Sequence, residues 1–132
     1  MTRTRLSSVH SDRIRRVREG MAKDRAGAFL FTDLSNLFYL SGFRGSDGAL
    51  LLTRTEAVLL VDGRYGTQAR QQAPRCRHVV YSAKVRGIAE EIGRLRVRRV
   101  GFEPAASTVG FHEALRKELP GVSWMQPSIL VM

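Results

Sequence analysis

The sequence predicts an α/β domain in which helices flank a mixed sheet of about six strands. Short apolar runs bounded by turn residues alternate with longer segments of helical periodicity, which is typical of this fold class. Residues 49–52 and 57–61 are both apolar and only the polar turn 53–56 separates them, so they predict an antiparallel hairpin. The 132 residues suit one domain with one core.

The other elements are predicted from the same patterns along the chain. Further strands are predicted at 28–32, 78–81, 99–102 and 122–125. Helices are predicted at 12–25, 36–40, 63–72 and 87–96, and a last helix is expected to open at Ser107 or Thr108. We expect residues 1–10 to be a mobile tail, residues 11–126 to form the domain, and residues 127–132 to begin a connection to a further domain.

Composition excludes several classes of protein. The N-terminus is basic without an apolar segment, so it is not a secretory signal, and no apolar run is long enough to cross a bilayer. The single cysteine, Cys76, cannot form an intramolecular disulfide, which is compatible with a cytoplasmic location. Its neighbours Arg75 and Arg77 could lower the pKa of the thiol. No catalytic frame is recognisable around it, however, so we interpret Cys76 as an ordinary thiol.

The net charge of +10, with an isoelectric point near 11.2, is the most unusual feature of the composition. It indicates either a nucleic-acid or acidic protein partner, or a fragment whose remainder carries the balancing acid. Two arginine clusters, 13–18 and 94–99, contain none of the aromatic residues that single-strand recognition uses. We therefore expect only non-specific contact with nucleic acid.

The sequence predicts no catalytic residue and no metal ligand. None of the histidines has a second histidine or cysteine at a metal-binding spacing; they are His10, His78 and His112. The adjacent acids Glu90 and Glu91 face different sides of a predicted helix, and we interpret them as solvating surface. Three aspartates could converge at the strand ends where open α/β sheets bind ligands, namely Asp33, Asp47 and Asp62. Loop aspartates normally cap helices and form turns, so they are weak evidence for a metal site.

The corner at residues 62–65 is the most informative polar feature. Asp62 ends a predicted strand and can cap the helix that follows. Arg64 lies just past that strand, where its guanidinium could hold the carboxylate of a substrate or partner in a bidentate manner. The alternative, which we favour, is a structural clamp from Arg64 to Asp62 or Asp47. Tyr65 is expected to pack rather than to react.

Three motifs occur in a fixed order: Asn36-x-x-Tyr39-Leu40-Ser41-Gly42-Phe43, Gly45-Ser46-x-Gly48 and Asp62-Gly63-Arg64-Tyr65-x-x-Gln68-Ala69. In order and spacing they resemble the N-terminal domain of the creatinase/prolidase/aminopeptidase P family, from about residue 13 to the end of the chain. The resemblance implies a ribonuclease-H-like mixed sheet. It also implies structural roles for the motif positions, which are Asn36, Tyr39, Gly42, Gly45, Gly48 and Asp62.

In peptidases of that family a second, "pita-bread" domain binds two divalent metal ions, such as Mn, Co or Zn, through two aspartates, a histidine and two glutamates. This chain stops before such a region, so the resemblance implies no cofactor here, no activity for the isolated chain, and a linker at 127–132 to a missing catalytic domain. The first domain of the family mediates oligomer contacts, including homodimers, and its loops help close a neighbouring active site. The positions here that correspond to those loops are Phe43, Arg44, Ser46, Arg64 and Tyr65.

The sequence therefore favours the non-catalytic N-terminal domain of a proline-directed metallopeptidase, an Xaa-Pro aminopeptidase or dipeptidase. Its main partner would be its own C-terminal catalytic domain. One alternative is a stand-alone peptide- or protein-binding module of the same fold, since the family also contains creatinases and histone-chaperone subunits without peptidase activity. A basic nucleic-acid-binding domain is the second alternative.

Overall fold

The computed structural model describes residues 2–128 of the chain, and the side chains of residues 9–128. Within this part the strands are β1 Ala28–Phe31, β2 Ala49–Thr53, β3 Ala57–Asp62, β4 Arg77–Tyr81, β5 Arg99–Gly101 and β6 Ser123–Met125. The helices are α1 Thr2–Asp24, α2 Leu34–Ser41, α3 Gly66–Gln72, α4 Lys84–Leu95 and α5 Val109–Glu118. A single 3₁₀ turn, Gly63–Tyr65, precedes α3.

The strands form one mixed sheet in the order β4-β3-β2-β1-β5-β6. Strand β2 is antiparallel to both of its neighbours, whereas the β3–β4, β1–β5 and β5–β6 pairs are parallel. The predicted α/β class, the hairpin and the six-stranded mixed sheet are therefore confirmed. Because β2 alone runs against the others, the carboxyl ends of five strands and the beginning of β2 lie at one edge of the sheet.

Helices cover both faces of the sheet, so the central strands are apolar on both sides. Alternate residues of each strand point to opposite faces. One face packs against α1, α2 and α3, and its strand residues are Phe29, Phe31, Leu50, Leu52, Leu59 and Val61. The other packs against α4 and α5, and its strand residues are Ala28, Leu30, Ala49, Leu51, Val58, Leu60 and Val100. This double burial explains why the strands appear in the sequence as unbroken apolar runs.

Helix α1 begins earlier than predicted, at Thr2 rather than at Asp12. The region expected to be a tail, residues 1–10, is therefore helical from Thr2 onward. No glycine or proline interrupts the chain between these two positions, so nothing in the local sequence stops the helix from extending back. The helix packs on the sheet through an apolar stripe, in which Val17 and Met21 are buried and Ile14 is partly buried.

Two glycines of the segment 42–48 are required by local geometry. Gly42 ends α2 in the left-handed region at φ 90°, and its N–H bonds to the carbonyl of Phe38 at 2.9 Å. A Cβ at Gly42 would lie only 2.8 Å from the carbonyl oxygen of Gln72. A Cβ at Gly45 would overlap the ring of Phe43. A side chain at either position would force this segment to move.

The interpretation of Glu91 as solvating surface is wrong. The side chain is only 8% exposed, and its carboxylate forms an ion pair with Arg77 of β4 and another with Arg94, the latter at 2.8 Å. Arg77 also pairs with Glu56 at 3.0 Å, so the network joins the β2–β3 turn, β4 and α4. Glu90, the adjacent acid, is exposed as expected.

The suggestion that the flanking arginines lower the pKa of Cys76 is also wrong. The thiol is buried beneath α1 and α3, and burial raises its pKa to about 11 against a smaller opposing effect of Arg75. Cys76 is therefore a protonated, packed side chain at neutral pH. This agrees with its interpretation as an ordinary thiol.

We predict that Glu91→Ala destabilises the chain by about 1–3 kcal/mol, because it leaves the arginine donors of this network without their buried acceptor. Arg77 and Arg94 are 39% and 55% exposed, so water replaces part of the lost interaction and the loss stays below that of a fully buried pair. Urea unfolding followed by circular dichroism measures the difference. Glu90→Ala is the matched control and should be nearly neutral; equal losses for both variants would contradict the role given to Glu91.

Candidate interface at the carboxyl edge of the sheet

The candidate site lies at the edge where β1, β3, β4, β5 and β6 end and β2 begins. The charged residues at or next to these strand ends are Asp33, Asp47, Asp62 and Arg64, which the sequence analysis named, and Glu103, which it did not. We call this surface the carboxyl edge. In open α/β sheets such an edge is the usual position of ligand-binding residues.

The corner after β3 contains a preformed ion pair. The Asp62 carboxylate accepts the backbone N–H of Arg64 at 2.9 Å, which caps the 3₁₀ turn. The Arg64 guanidinium returns to the same carboxylate through Nη2 at 2.9 Å and through Nε at 3.2 Å. The predicted contact is therefore present, with Asp62 rather than Asp47 as the partner. The side-chain hydrogen bond from Arg64, against a smaller effect of burial, holds the pKa of Asp62 below its usual value.

Arg64 remains available to a partner despite this contact. Its side chain is 71% exposed, and its guanidinium carbon lies 5.0 Å from the centre of the Tyr65 ring. A guanidinium carries five N–H donors, and the bonds to Asp62 use only those on Nε and Nη2, so other N–H groups of Arg64 can bind a further acceptor. The corner therefore presents an oriented cation rather than a freely moving one.

The glycine-rich loop at residues 43–48 packs against this corner. The rings of Phe43 and Tyr65 meet edge to face with centroids 5.9 Å apart. The hydroxyls of Ser46 and Tyr65 form a hydrogen bond. Phe43 itself is only 1% exposed, so its side chain belongs to the core and anchors the loop. Of the candidate contact residues, the structure thus brings together Phe43, Ser46, Arg64 and Tyr65.

Arg44, the remaining candidate contact residue, points in a different direction. Its guanidinium carbon lies 4.6 Å from the centre of the exposed Phe38 ring on α2. Its backbone N–H donates to the side-chain oxygen of Gln72 at the end of α3, at 2.8 Å. Arg44 therefore belongs to the surface between α2 and α3 and not to the carboxyl edge.

A second ion pair at this edge was not predicted. Lys84, at the start of α4, donates to Asp47 at 2.6 Å, and the hydroxyl of Tyr81 donates to the same carboxylate at 3.3 Å. Burial alone would raise the pKa of Asp47, but the bonds from Lys84, the backbone N–H of Gly48 and Tyr81 hold it below its usual value. Lys84 stands in the first turn of α4, where the helix dipole disfavours a positive charge, and the Asp47 carboxylate offsets this effect.

Glu103 is another residue whose role the sequence did not reveal. In the structure its carboxylate accepts the backbone N–H groups of Thr32 and Asp33 at 2.6 and 3.0 Å, and the side-chain amide of Asn36 at 2.5 Å. Asp33 in turn caps α2 by accepting the N–H of Asn36 at 3.2 Å. Glu103 therefore fixes the turn from β1 into α2.

The three aspartates lie at the carboxyl edge as expected, but each is engaged separately. Asp33 caps α2, Asp47 binds Lys84, and Asp62 binds Arg64. Throughout residues 2–128, no three histidine, cysteine, aspartate or glutamate side chains lie close enough to hold a metal ion. The described residues therefore do not fit the two-metal site that the family resemblance implies for the catalytic domain.

The histidines take local structural roles. The rings of His10 and His78 lie within hydrogen-bond distance of backbone carbonyls, those of Tyr39 and Ala73, at 3.3 and 2.7 Å. His112 stacks on Phe102 with ring centres 4.3 Å apart, and burial and a nearby arginine lower its pKa. Each histidine therefore has a contact within the protein that accounts for its position without a bound metal ion or other ligand.

The architecture defines a class of α/β domain, with one reversed strand inside a six-stranded sheet and an Asp-Gly-Arg-Tyr corner at its carboxyl edge. The family model of the creatinase/prolidase N-terminal domain matches residues 13–131. The chain therefore belongs to the creatinase/prolidase N-terminal domain family, which confirms the resemblance of its motifs. Among the described residues, no helix combines the length and apolarity required to span a bilayer.

Solved structures of relatives agree closely with this fold. The N-terminal domain of the cytoplasmic peptidase PepQ from Mycobacterium tuberculosis H37Rv is 38% identical with a TM-score of 0.83, and the match covers 89% of this chain and 93% of that one. An Xaa-Pro aminopeptidase structure from Streptococcus pyogenes is 27% identical with a TM-score of 0.83, covering 91% of this chain and 92% of that one.

Among curated proteins, the uncharacterized peptidase YqhT from Bacillus subtilis (strain 168) is 28% identical over 82 residues. This match covers 61% of the chain and 23% of that protein. The chain thus spans less than a quarter of the curated relative that it matches.

We predict that Asp47→Asn lowers the free energy of unfolding by roughly 1 kcal/mol or less at pH 7, because the Asp47 side chain is 42% exposed and its ion pair is screened by water. The folded-state pKa of Asp47 is depressed, so this stability is present above the unfolded pKa near 3.9 and is lost as the pH falls through the folded pKa. Urea unfolding at pH 7 and pH 3 should therefore show a difference between wild type and variant that shrinks in acid. Lys84→Gln should reproduce most of the loss, and a difference that is independent of pH would contradict the pairing.

Proposed function

We propose that this chain is the non-catalytic N-terminal domain of a proline-directed metallopeptidase, an Xaa-Pro aminopeptidase or dipeptidase. In this proposal it serves oligomer assembly and helps close the active site. The observation that carries the proposal is family membership over residues 13–131, together with an edge that presents the family's corner motif. The peptidases among the relatives support it.

The geometry of the carboxyl edge suits a contact surface. Arg64 is exposed yet oriented by Asp62, and the hydrogen bond between Ser46 and Tyr65 ties the loop to the corner. Side chains that are ordered before association lose less conformational freedom when a partner binds. An arginine at the rim of such a surface is suited to bind a carboxylate of a second subunit or of the catalytic domain.

The metal chemistry would come from the C-terminal catalytic domain. Two divalent ions there, such as Mn, Co or Zn, would supply an activated water for hydrolysis of the peptide bond. The described residues of this chain would contribute the shape and charge of the rim around that site. We further propose a homodimer, a cytoplasmic location like that of the Mycobacterium tuberculosis relative, and only non-specific contact with nucleic acid.

We expect the pure 132-residue chain to release no proline-containing product from Xaa-Pro peptides, with or without added Mn²⁺, Co²⁺ or Zn²⁺. The reason is that no group in the described part of the chain can hold and acidify a water-activating metal. The control is the same chain extended through the downstream region of its gene, which should hydrolyse these peptides when supplied with metal. Metal-dependent turnover by the 132-residue chain would contradict the proposal.

Arg64→Ala separates a contact role from a purely structural one. In the isolated chain we expect the thermal midpoint to change little, because the Arg64 side chain is 71% exposed. In the full-length protein we expect weaker dimerisation or a lower kcat/KM, measured by light scattering and by Xaa-Pro hydrolysis. Arg54→Ala, an exposed arginine in the turn at the opposite edge of the sheet, is the matched control. Unchanged assembly and activity in full-length Arg64→Ala would exclude the proposed contact.

A further inference from the structure

A groove on the α1–α3 side of the sheet is lined by basic side chains. It has a volume of about 700 Å³ and lies between the middle of α1, the end of α2 and the end of α3. Its basic residues are His10, Arg13, Arg18, Arg44 and Arg75. No aspartate or glutamate is among the described residues that line it. We call it the basic groove.

Three of these arginines are positioned by groups that leave their charge uncompensated. Arg13 donates to the carbonyl of Tyr39 at 2.9 Å and lies 4.0 Å from the centre of the Tyr39 ring. Arg18 donates to the carbonyl of Thr53 at 2.8 Å. Arg44 lies over the ring of Phe38. Carbonyls and aromatic rings orient a guanidinium but do not neutralise it, and each guanidinium retains N–H donors for a further acceptor.

Between the basic side chains the lining contains both apolar and polar groups. The apolar lining residues that are at least partly exposed include Val9, Ile14, Ala57 and Pro74, and the amides of Gln71 and Gln72 add hydrogen-bonding groups. The wall from Val9 to Arg18 follows α1 for about 13 Å at the rise of an α-helix. An extended chain covers that distance with about four residues.

We propose that the basic groove docks an extended acidic peptide segment of about four residues, whose carboxylates pair with the groove arginines and whose apolar side chains contact the floor. A compact phosphate would engage only one end of a groove of this length. A single nucleic-acid strand would need a series of aromatic platforms, and among the described lining residues Phe38 is the only phenylalanine, tyrosine or tryptophan. The site is separate from the carboxyl edge, and it gives Arg44 a contact role that does not depend on the proposed peptidase function.

Titration of the isotope-labelled 132-residue chain with acetyl-Glu-Leu-Glu-Leu-amide, followed by NMR at about 0.15 M salt, tests this site. The chain alone is a suitable sample, because the Mycobacterium tuberculosis relative was solved as an isolated N-terminal domain. We expect saturable shifts confined to α1, the end of α2 and the end of α3. The uncharged peptide acetyl-Gln-Leu-Gln-Leu-amide should bind much more weakly.

Two double variants with the same net charge separate the groove from general charge attraction. Arg13→Gln/Arg44→Gln removes two groove cations whose partners are a carbonyl and aromatic rings, and it should weaken binding about tenfold or more. Arg86→Gln/Arg98→Gln removes two exposed cations outside the groove and should leave the affinity within about twofold, since distant surface charges are largely screened at this salt concentration. Thermal melts of both variants confirm that each is folded.

Four results would overturn the proposal. They are no saturable binding of the acidic peptide, equal weakening by both double variants, shifts located at the carboxyl edge, and tighter binding of inorganic pyrophosphate or a DNA oligonucleotide in the same groove. Shifts at the carboxyl edge would place the peptide-binding site on a different surface. Tighter binding of pyrophosphate or DNA would assign the groove to a different class of ligand.

Discussion

The packing of Phe43 in the core is the contact on which the carboxyl edge depends. The ring is 1% exposed, leaves no room for a side chain at Gly45, and meets Tyr65 edge to face. By anchoring the glycine-rich loop it places Ser46 against Tyr65 and brings Asp47 to the start of α4. The loop residues Ser46 and Asp47 are therefore positioned by a buried aromatic side chain that is itself almost inaccessible to a partner.

The order of the elements could be predicted because the physical signals for them are local. Strands buried on both faces appear as short apolar runs, and glycine or proline marks the helix ends. The start of α1 could not be located in this way, because its first ten residues carry neither a breaker nor an apolar stripe. Glu91 was misinterpreted for a different reason. Its partner Arg77 lies on another element, and only the packing of α4 on β4 brings the two together.

The candidate site shows the same division between local and long-range contacts. The Asp62–Arg64 pair spans two positions and could be predicted from the corner sequence. The Asp47–Lys84 pair spans 37 positions, and the contact of Glu103 with Asn36 spans 67. The first depends on the reversed strand β2, which begins at this edge, and the second on the crossover that places β5 beside β1. Single-sequence patterns do not encode such pairings unless the topology is already known.

The distribution of charge distinguishes the two surfaces of this domain. At the carboxyl edge the cations are matched by carboxylates, Arg64 by Asp62 and Lys84 by Asp47. In the basic groove no acid stands among the described lining residues, and Arg13, Arg18 and Arg44 are held by carbonyls and aromatic rings. An acidic partner gains more where a cation is oriented but not neutralised, because it need not displace an existing carboxylate. The net charge of +10 is therefore more informative about the groove than about the edge that carries the family motif.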